Sequence, residues 1–164
     1  MSFIFRSKKQ SEFKKWQVVL LLIIVGSAVI FKIFFSGPRL VTINLAGTEL
    51  KVLVADTPAL RYQGWSDYKN MGKADGMLFI FSEVGQHAMV MRAMQFPLDI
   101  VWLNGKAVVD IAPGVEPEAS KSEAELTPYF GRAPSTAVLE LSAGFAKKNS
   151  LKVGDSWEIV KSVK

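Results

Sequence analysis

The chain has no cysteine among its 164 residues. That absence excludes disulfides, thiolate metal sites and a thiol nucleophile. Histidine is nearly absent too: His87 stands alone, so no multi-histidine metal centre can form within one chain. Net positive charge is missing from most of the sequence. The formal net charge of +5 resides in residues 1–37, where Arg6, Lys8, Lys9, Lys14, Lys15 and Lys32 face Glu12 alone. Residues 38–164 carry acidic and basic side chains in equal number. With no basic field over the larger part, nucleic-acid binding is set aside. Ser135, Ser142 and Ser156 have no nucleophile-elbow context, and acid pairs such as Glu116 and Glu118 lie in a loop. No catalytic motif emerges.

One long apolar run is present. Residues 16–35 read WQVVLLLIIVGSAVIFKIFF. As a helix they would span ~30 Å, about the hydrocarbon thickness of a bilayer. Lys32 is near enough to the far end to snorkel, and Trp16 suits the interface. The basic residues before the run favour a cytoplasmic N-terminus. The organisation expected is a basic cytoplasmic segment at 1–15, a transmembrane signal-anchor at 16–35, a linker at 36–39 and an extracytoplasmic domain at 40–164. That places the protein at the inner or plasma membrane as a single-pass protein. The alternative is a secreted protein cleaved near Ala28, after the small residues Gly26 and Ser27.

The rest is organised around residues 76–112. Apolar runs at 77–81, 88–91, 98–103 and 107–112 are separated by 82–85, Pro97 and Asn104-Gly105. Short runs punctuated this way read as consecutive antiparallel strands. Asn104-Gly105 predicts a type I′ hairpin with φ > 0 at both residues. Residues 40–46 and 49–55 alternate apolar with polar and read as an earlier hairpin turning at Gly47. Asp56-Thr57-Pro58 should cap and start a helix that frays by Gly72. A second helix at 143–148 could be capped by Ser142. The expected fold is mainly β with small α content: a compact antiparallel β-sandwich or barrel-like domain of about eight strands and one or two short helices.

The pieces Ala55-Asp56-Thr57-Pro58, Gly64, Gly76-Met77-Leu78-Phe79-Ile80-Phe81, His87, Met91, Pro97-Leu98-Asp99-Ile100, Gly105, Val138-Leu139-Glu140-Leu141, Ala143-Gly144 and Leu151-Lys152-Val153-Gly154-Asp155 occur in an order that resembles the domain-of-unknown-function family 192. The resemblance implies a compact β-sandwich-like fold, often behind a signal or anchor, and brings no established activity. It also puts an asparagine where this chain has Ala93.

Candidate site residues follow from residue type. Asp99 lies within an apolar strand, where a carboxylate must find a partner. Arg92, one expected strand earlier, could clamp it; the structural alternative is a buried ion pair or backbone ligand that fixes the sheet corner. The proline-rich stretch 113–135 is long for a connector. It presents Tyr129 and Arg132 between Pro128 and Pro134. Arg92, Asp99, Tyr129 and Arg132 are therefore expected to share a site for a small polar or anionic ligand or an envelope protein. The first half of the loop, 116–125, has few apolar residues to bury and should be mobile. No cofactor is implied. The alternative is Cu(I), held by His87, Met89, Met91 and Met94, the first three on one face of a strand. A further alternative is an enzyme of unknown reaction centred on Asp99.

Overall fold

The computed structural model describes residues 14–34 and 37–162, with the side chains of 28–34 and 162 outside that set. Arg6, Lys8 and Lys9 of the basic segment, and Ser36 of the linker, therefore lie outside the described residues. The chain divides into two units, Met1–Gly37 and Pro38–Lys164. In the first, α1 (Lys15–Phe34) is a helix on which Val18, Leu21, Leu22 and Ile23 stay exposed. Among the described residues no helix is long and apolar enough to cross a membrane.

The second unit is one seven-stranded sheet: β1 (Arg39–Leu45), β2 (Thr48–Ala55), β3 (Gly76–Gly85), β4 (Leu98–Asn104), β5 (Ala107–Val115), β6 (Ser135–Ser142) and β7 (Trp157–Ser162). Their spatial order is β5-β4-β6-β3-β2-β1-β7. The outer strands approach each other where Ala107 bridges Ser156, so the sheet curls into a half-barrel. Two expectations are corrected here. Among the described residues the strands number seven, and the sheet is mixed, because β2 and β3 run parallel. A parallel pair needs a crossover, and α2 (Pro58–Gln63) lies in it.

The first hairpin forms as its alternation predicts. Val41, Ile43 and Leu45 are buried and pair with β2. Ala46 (φ 50) and Gly47 (φ 84) make its turn, so the type I′ geometry appears here. The Asn104-Gly105 hairpin also forms, but Asn104 pairs with Ala107 and positive φ falls on Gly105 alone. Gly105 thus takes the first central position, the placement glycine fills in a II′ turn. Thr57 caps α2 through Oγ1, which accepts from Leu60 N–H at 3.2 Å. The helix stops at Gln63, well before Gly72, because Gly64 (φ 47) closes it with an N–H donated to Leu60 O. The later helix is shorter than expected: α3 (Phe145–Lys148) is capped by Gly144 and not by Ser142.

Both faces of the central strands are buried. Leu78, Val101, Leu103, Ala137, Leu139 and Leu141 join Val41, Ile43 and Val52 on the inner face. Met77, Phe79, Leu98, Ile100, Trp102 and Val138 face the other way, against Trp65, Met89, Met91 and Met94. Full burial of each such side chain contributes about 1.5–3 kcal/mol. Residues 88–91 are therefore not a strand. They lie over the sheet, and an isolated bridge from Met89 to Tyr129 ties them to the loop between β5 and β6, which forms part of the same cover. Trp102 anchors this cover by donating from Nε1 to His87 O at 3.2 Å. A Cβ built on Gly131 would stand 2.7 Å from Trp102 Cγ, and that ring is only 1% exposed. Gly131→Ala should cost about 1–3 kcal/mol by overpacking. Urea denaturation checks this, and a variant as stable as the parent would show that the ring has room to retreat.

Candidate functional site

Glu140 sits in the middle of β6, opposite Met77 of β3 and Ile100 of β4. Leu139 and Leu141 point into the half-barrel, so strand alternation sends Glu140 to the other face. That face is roofed, and Glu140 is only 4% exposed. No described group donates a hydrogen bond to its carboxyl. Burial pushes it up to about 8, which favours the uncharged acid at neutral pH. Gly76 holds the two strands close here: a Cβ on it would lie 2.4 Å from the Glu140 carbonyl oxygen.

Glu140 borders a cavity of about 350 Å³. The sheet contributes Phe79, Phe81 and Glu140, the α2 region contributes Arg61, Tyr62 and Trp65, and the cover contributes Met89, Arg92 and Met94. Arg61 donates from Nη1 to Asp56 O and Ile80 O, both at 2.9 Å, and lies 5.3 Å over the Phe81 ring. It forms no ion pair among the described residues. Arg92 is fully engaged. Its guanidinium pairs with Glu123 (Nε to Oε2, 2.6 Å), donates to Tyr62 O at 2.8 Å and stacks 4.0 Å over the Tyr62 ring. The Glu123 contact raises Arg92, and Arg92 in turn holds Glu123 below the usual carboxylate range. Trp65 Nε1 is a buried donor without an acceptor among the described residues.

The four residues expected to share a site are not brought together. Asp99 is completely buried, and Arg92 is not its partner. Its carboxylate accepts from Gly114 N–H (2.8 Å), Gly144 N–H (3.1 Å) and Ala146 N–H (2.8 Å). This ties β4 to β5 and α3 and leaves no reachable base for the Asp99-centred enzyme. Arg132 is held by the buried Asp110, through its backbone N–H at 2.7 Å and Nε at 2.9 Å. The Arg132 guanidinium keeps Asp110 below its ordinary value. Tyr129 exchanges backbone hydrogen bonds with Met89 and packs in the roof. Of the four, Arg92 alone lines the cavity.

The long loop does reach both expected positions, at separate points: Glu123 to Arg92 and Gly114 to Asp99. Its first half is built on polar contacts in place of apolar ones. Lys121 and Thr127 donate to Glu118 and bring its carboxyl down to about 2. Ser122 and Glu125 form a capping box on a single 3-10 turn, Glu123–Glu125. The copper set also disperses. Met89 and Met94 line the cavity, Met91 is core, and the His87 ring stacks on Phe81 at 3.6 Å with Nε2 against Glu83 O. Strand alternation cannot align His87, Met89 and Met91, because no strand forms there. Ala93 has φ 47, a left-handed conformation that asparagine tolerates better than alanine. The asparagine implied by the resemblance thus has a backbone reason at this position.

Glu140 belongs to the 138–141 motif but is no site candidate by sequence, because a charged residue between two leucines in a strand is normally the solvated face. The available signal was Val138, which puts an apolar neighbour on that same face.

The sequence profile of the DUF192 family, described as Uncharacterized ACR, matches residues 41–159. None of the curated proteins matches the chain. Two solved structures resemble it. A "putative transcription regulator" from Sinorhizobium meliloti 1021 has 28% identity and a TM-score of 0.67, over 76% of this chain and 96% of that one. A protein of unknown function from Novosphingobium aromaticivorans DSM 12444 has 28% identity and a TM-score of 0.65, over 76% of this chain and 88% of that one.

Proposed function

This chain belongs to the DUF192 family of uncharacterised proteins, and from that premise we propose that its β-domain is a ligand-binding module working through the Glu140 cavity. The observation that carries this is a carboxyl, 4% exposed and bonded to no described group, at the edge of a cavity of about 350 Å³. A buried polar group left unpaired is destabilising, whereas a leucine there would simply pack. Sites that retain such a group, among aromatic walls in a pocket of this size, are those in which a ligand completes the bonding. Binding fits better than hydrolysis, because the serine on the wall, Ser66, donates to Arg92 O at 2.9 Å and has no general base beside it.

A thermal-shift screen of small molecules on the full-length protein tests the reading. A ligand at a hundredfold its Kd adds about 2.7 kcal/mol of stability, several degrees in Tm for a domain of this size. Ala88→Trp, which places bulk at the exposed edge of the cavity, should abolish the shift. A library in which every hit stabilises both proteins equally would sink the proposal.

The location is part of the same proposal. The apolar run 16–35 and its basic flank support a single-pass anchor with the β-domain outside the cytoplasm. An envelope protein remains the partner expected on that side. Fractionation and protease protection decide the matter, and recovery of a soluble protein beginning at Val29 would favour cleavage.

A further inference from the structure

The arginines and the buried acid around the cavity have a common character. Arg61 from α2 and Arg92 from the cover are hydrogen-bond donors only. Glu140, while it keeps its proton, also presents a donor. The neighbouring strands bring no charge beside it: Met77 and Phe79 of β3 and Ile100 and Trp102 of β4 are apolar on this face. Tyr62 is the remaining titratable side chain on the lining. Of the acids just outside the lining, Glu123 is taken up by Arg92, and Asp56, whose carbonyl receives Arg61, pairs with Arg39. His87 reaches only the far side of Phe81, with Nε2 on Glu83 O. Tyr62, Gln63 and Ser66 put neutral acceptors on the lining, so what the cavity lacks is a charged acceptor to meet Arg61.

We propose that the cavity takes a small organic monoanion, a carboxylate whose apolar body lies against Phe79, Met89 and Met94 and whose oxygens accept from Glu140 and Arg61. This rests on the ligand-binding reading above and names the class of ligand for that site. Arg61 has no ion-pair partner among the described residues, and its backbone bonds use Nη1 alone. Nη2 and Nε are left to donate. An acid hydrogen shared with a carboxylate is a charge-assisted bond, stronger than one between neutral groups. A cationic ligand would instead have to draw the proton from Glu140 and enter beside Arg61.

The two ligand charges predict opposite pH dependence. An anion binds while Glu140 is protonated and is repelled once it ionises. A cation gains from that ionisation. The full-length protein labelled with 13C at its methionine methyls reports on Met89 and Met94 directly. Phenylacetate, phenylacetamide and phenethylamine serve as matched anionic, neutral and cationic probes, titrated at about pH 6.5 and about pH 9.5. Phenylacetate is expected to move the Met89 and Met94 signals at the lower pH, at least tenfold more tightly than the amine. Its affinity should fall at least tenfold at the higher pH. Glu140→Gln keeps a donor, so binding should persist and lose its pH dependence. Arg61→Met should weaken the anion tenfold and leave the amide unchanged. Tightest binding by the amine, or equal binding by acid and amide, overturns the anion while keeping the cavity as a ligand site. Silence from all three probes overturns the anion as well, and the library screen then decides independently whether the cavity binds anything.

Discussion

Replacing Asp99 with alanine should destabilise the β-domain by about 3–5 kcal/mol, because three buried backbone N–H groups lose their acceptor at once. The carboxylate lies at 0% exposure and accepts three backbone hydrogen bonds, from Gly114, Gly144 and Ala146. Each donor belongs to a segment that the sheet ladder alone does not secure. Gly114 (φ 65) sits in a register shift of β5, and Gly144 (φ 86) opens α3. With alanine all three N–H groups remain buried and unpaired, at roughly 1–3 kcal/mol each before relaxation. Asp99→Asn should be the gentler change, because one oxygen of Asp99 serves both Gly114 and Gly144. The amide keeps that acceptor but turns an NH2 towards Ala146. Denaturant titration gives the cost, and amide exchange should quicken at Gly114, Gly144 and Ala146 in particular. A loss under about 1 kcal/mol would mean that water or neighbouring groups replace the carboxylate.

Glu140 should produce the opposite behaviour. Its folded value is raised from 4.5 to about 8 by burial. Below 4.5 both folded and unfolded states hold the proton. Between the two values the folded state keeps a proton that the unfolded state has released, so stability falls as pH rises through that window. Above about 8 the fall levels off. Each pKa unit corresponds to about 1.4 kcal/mol, so the full loss is on the order of 5 kcal/mol. Glu140→Gln should flatten the curve. Glu140→Leu should stabilise the protein at neutral pH by about 1–2 kcal/mol, since it removes an unpaired polar group without leaving a hole. Asp110 works in the other direction. Arg132 lowers it, so its contribution is present above the ordinary carboxylate value and lost in acid. Comparing parent and variant at each pH cancels that term. Identical slopes for the parent and Glu140→Gln would show that the carboxyl is hydrated in the folded protein. A more stable but ligand-blind Glu140→Leu would be the mark of a residue kept for binding at the expense of the fold.

Residues within a few positions of one another settled a good deal from sequence alone. The absence of cysteine excluded thiol chemistry outright. Alternation in residues 40–55 gave the first hairpin nearly to the residue, because strand pairing across a two-residue turn uses only local geometry. Thr57-Pro58 gave the start of α2, because a cap is a bond between neighbours in sequence. The ordered motifs gave the family. What the tertiary structure decided is everything that depends on distant partners. It inserted β6 between β3 and β4, turned residues 88–91 into a roof, and joined Arg92 to Glu123 across 31 positions and Asp99 to Ala146 across 47. A strand's own sequence specifies which side chains share a face, but not what covers that face. The same alternation would have left Glu140 in water under an open sheet; beneath α2 and residues 86–97 it becomes a buried acid beside a cavity, because desolvation is set by the packing of segments far apart in the chain.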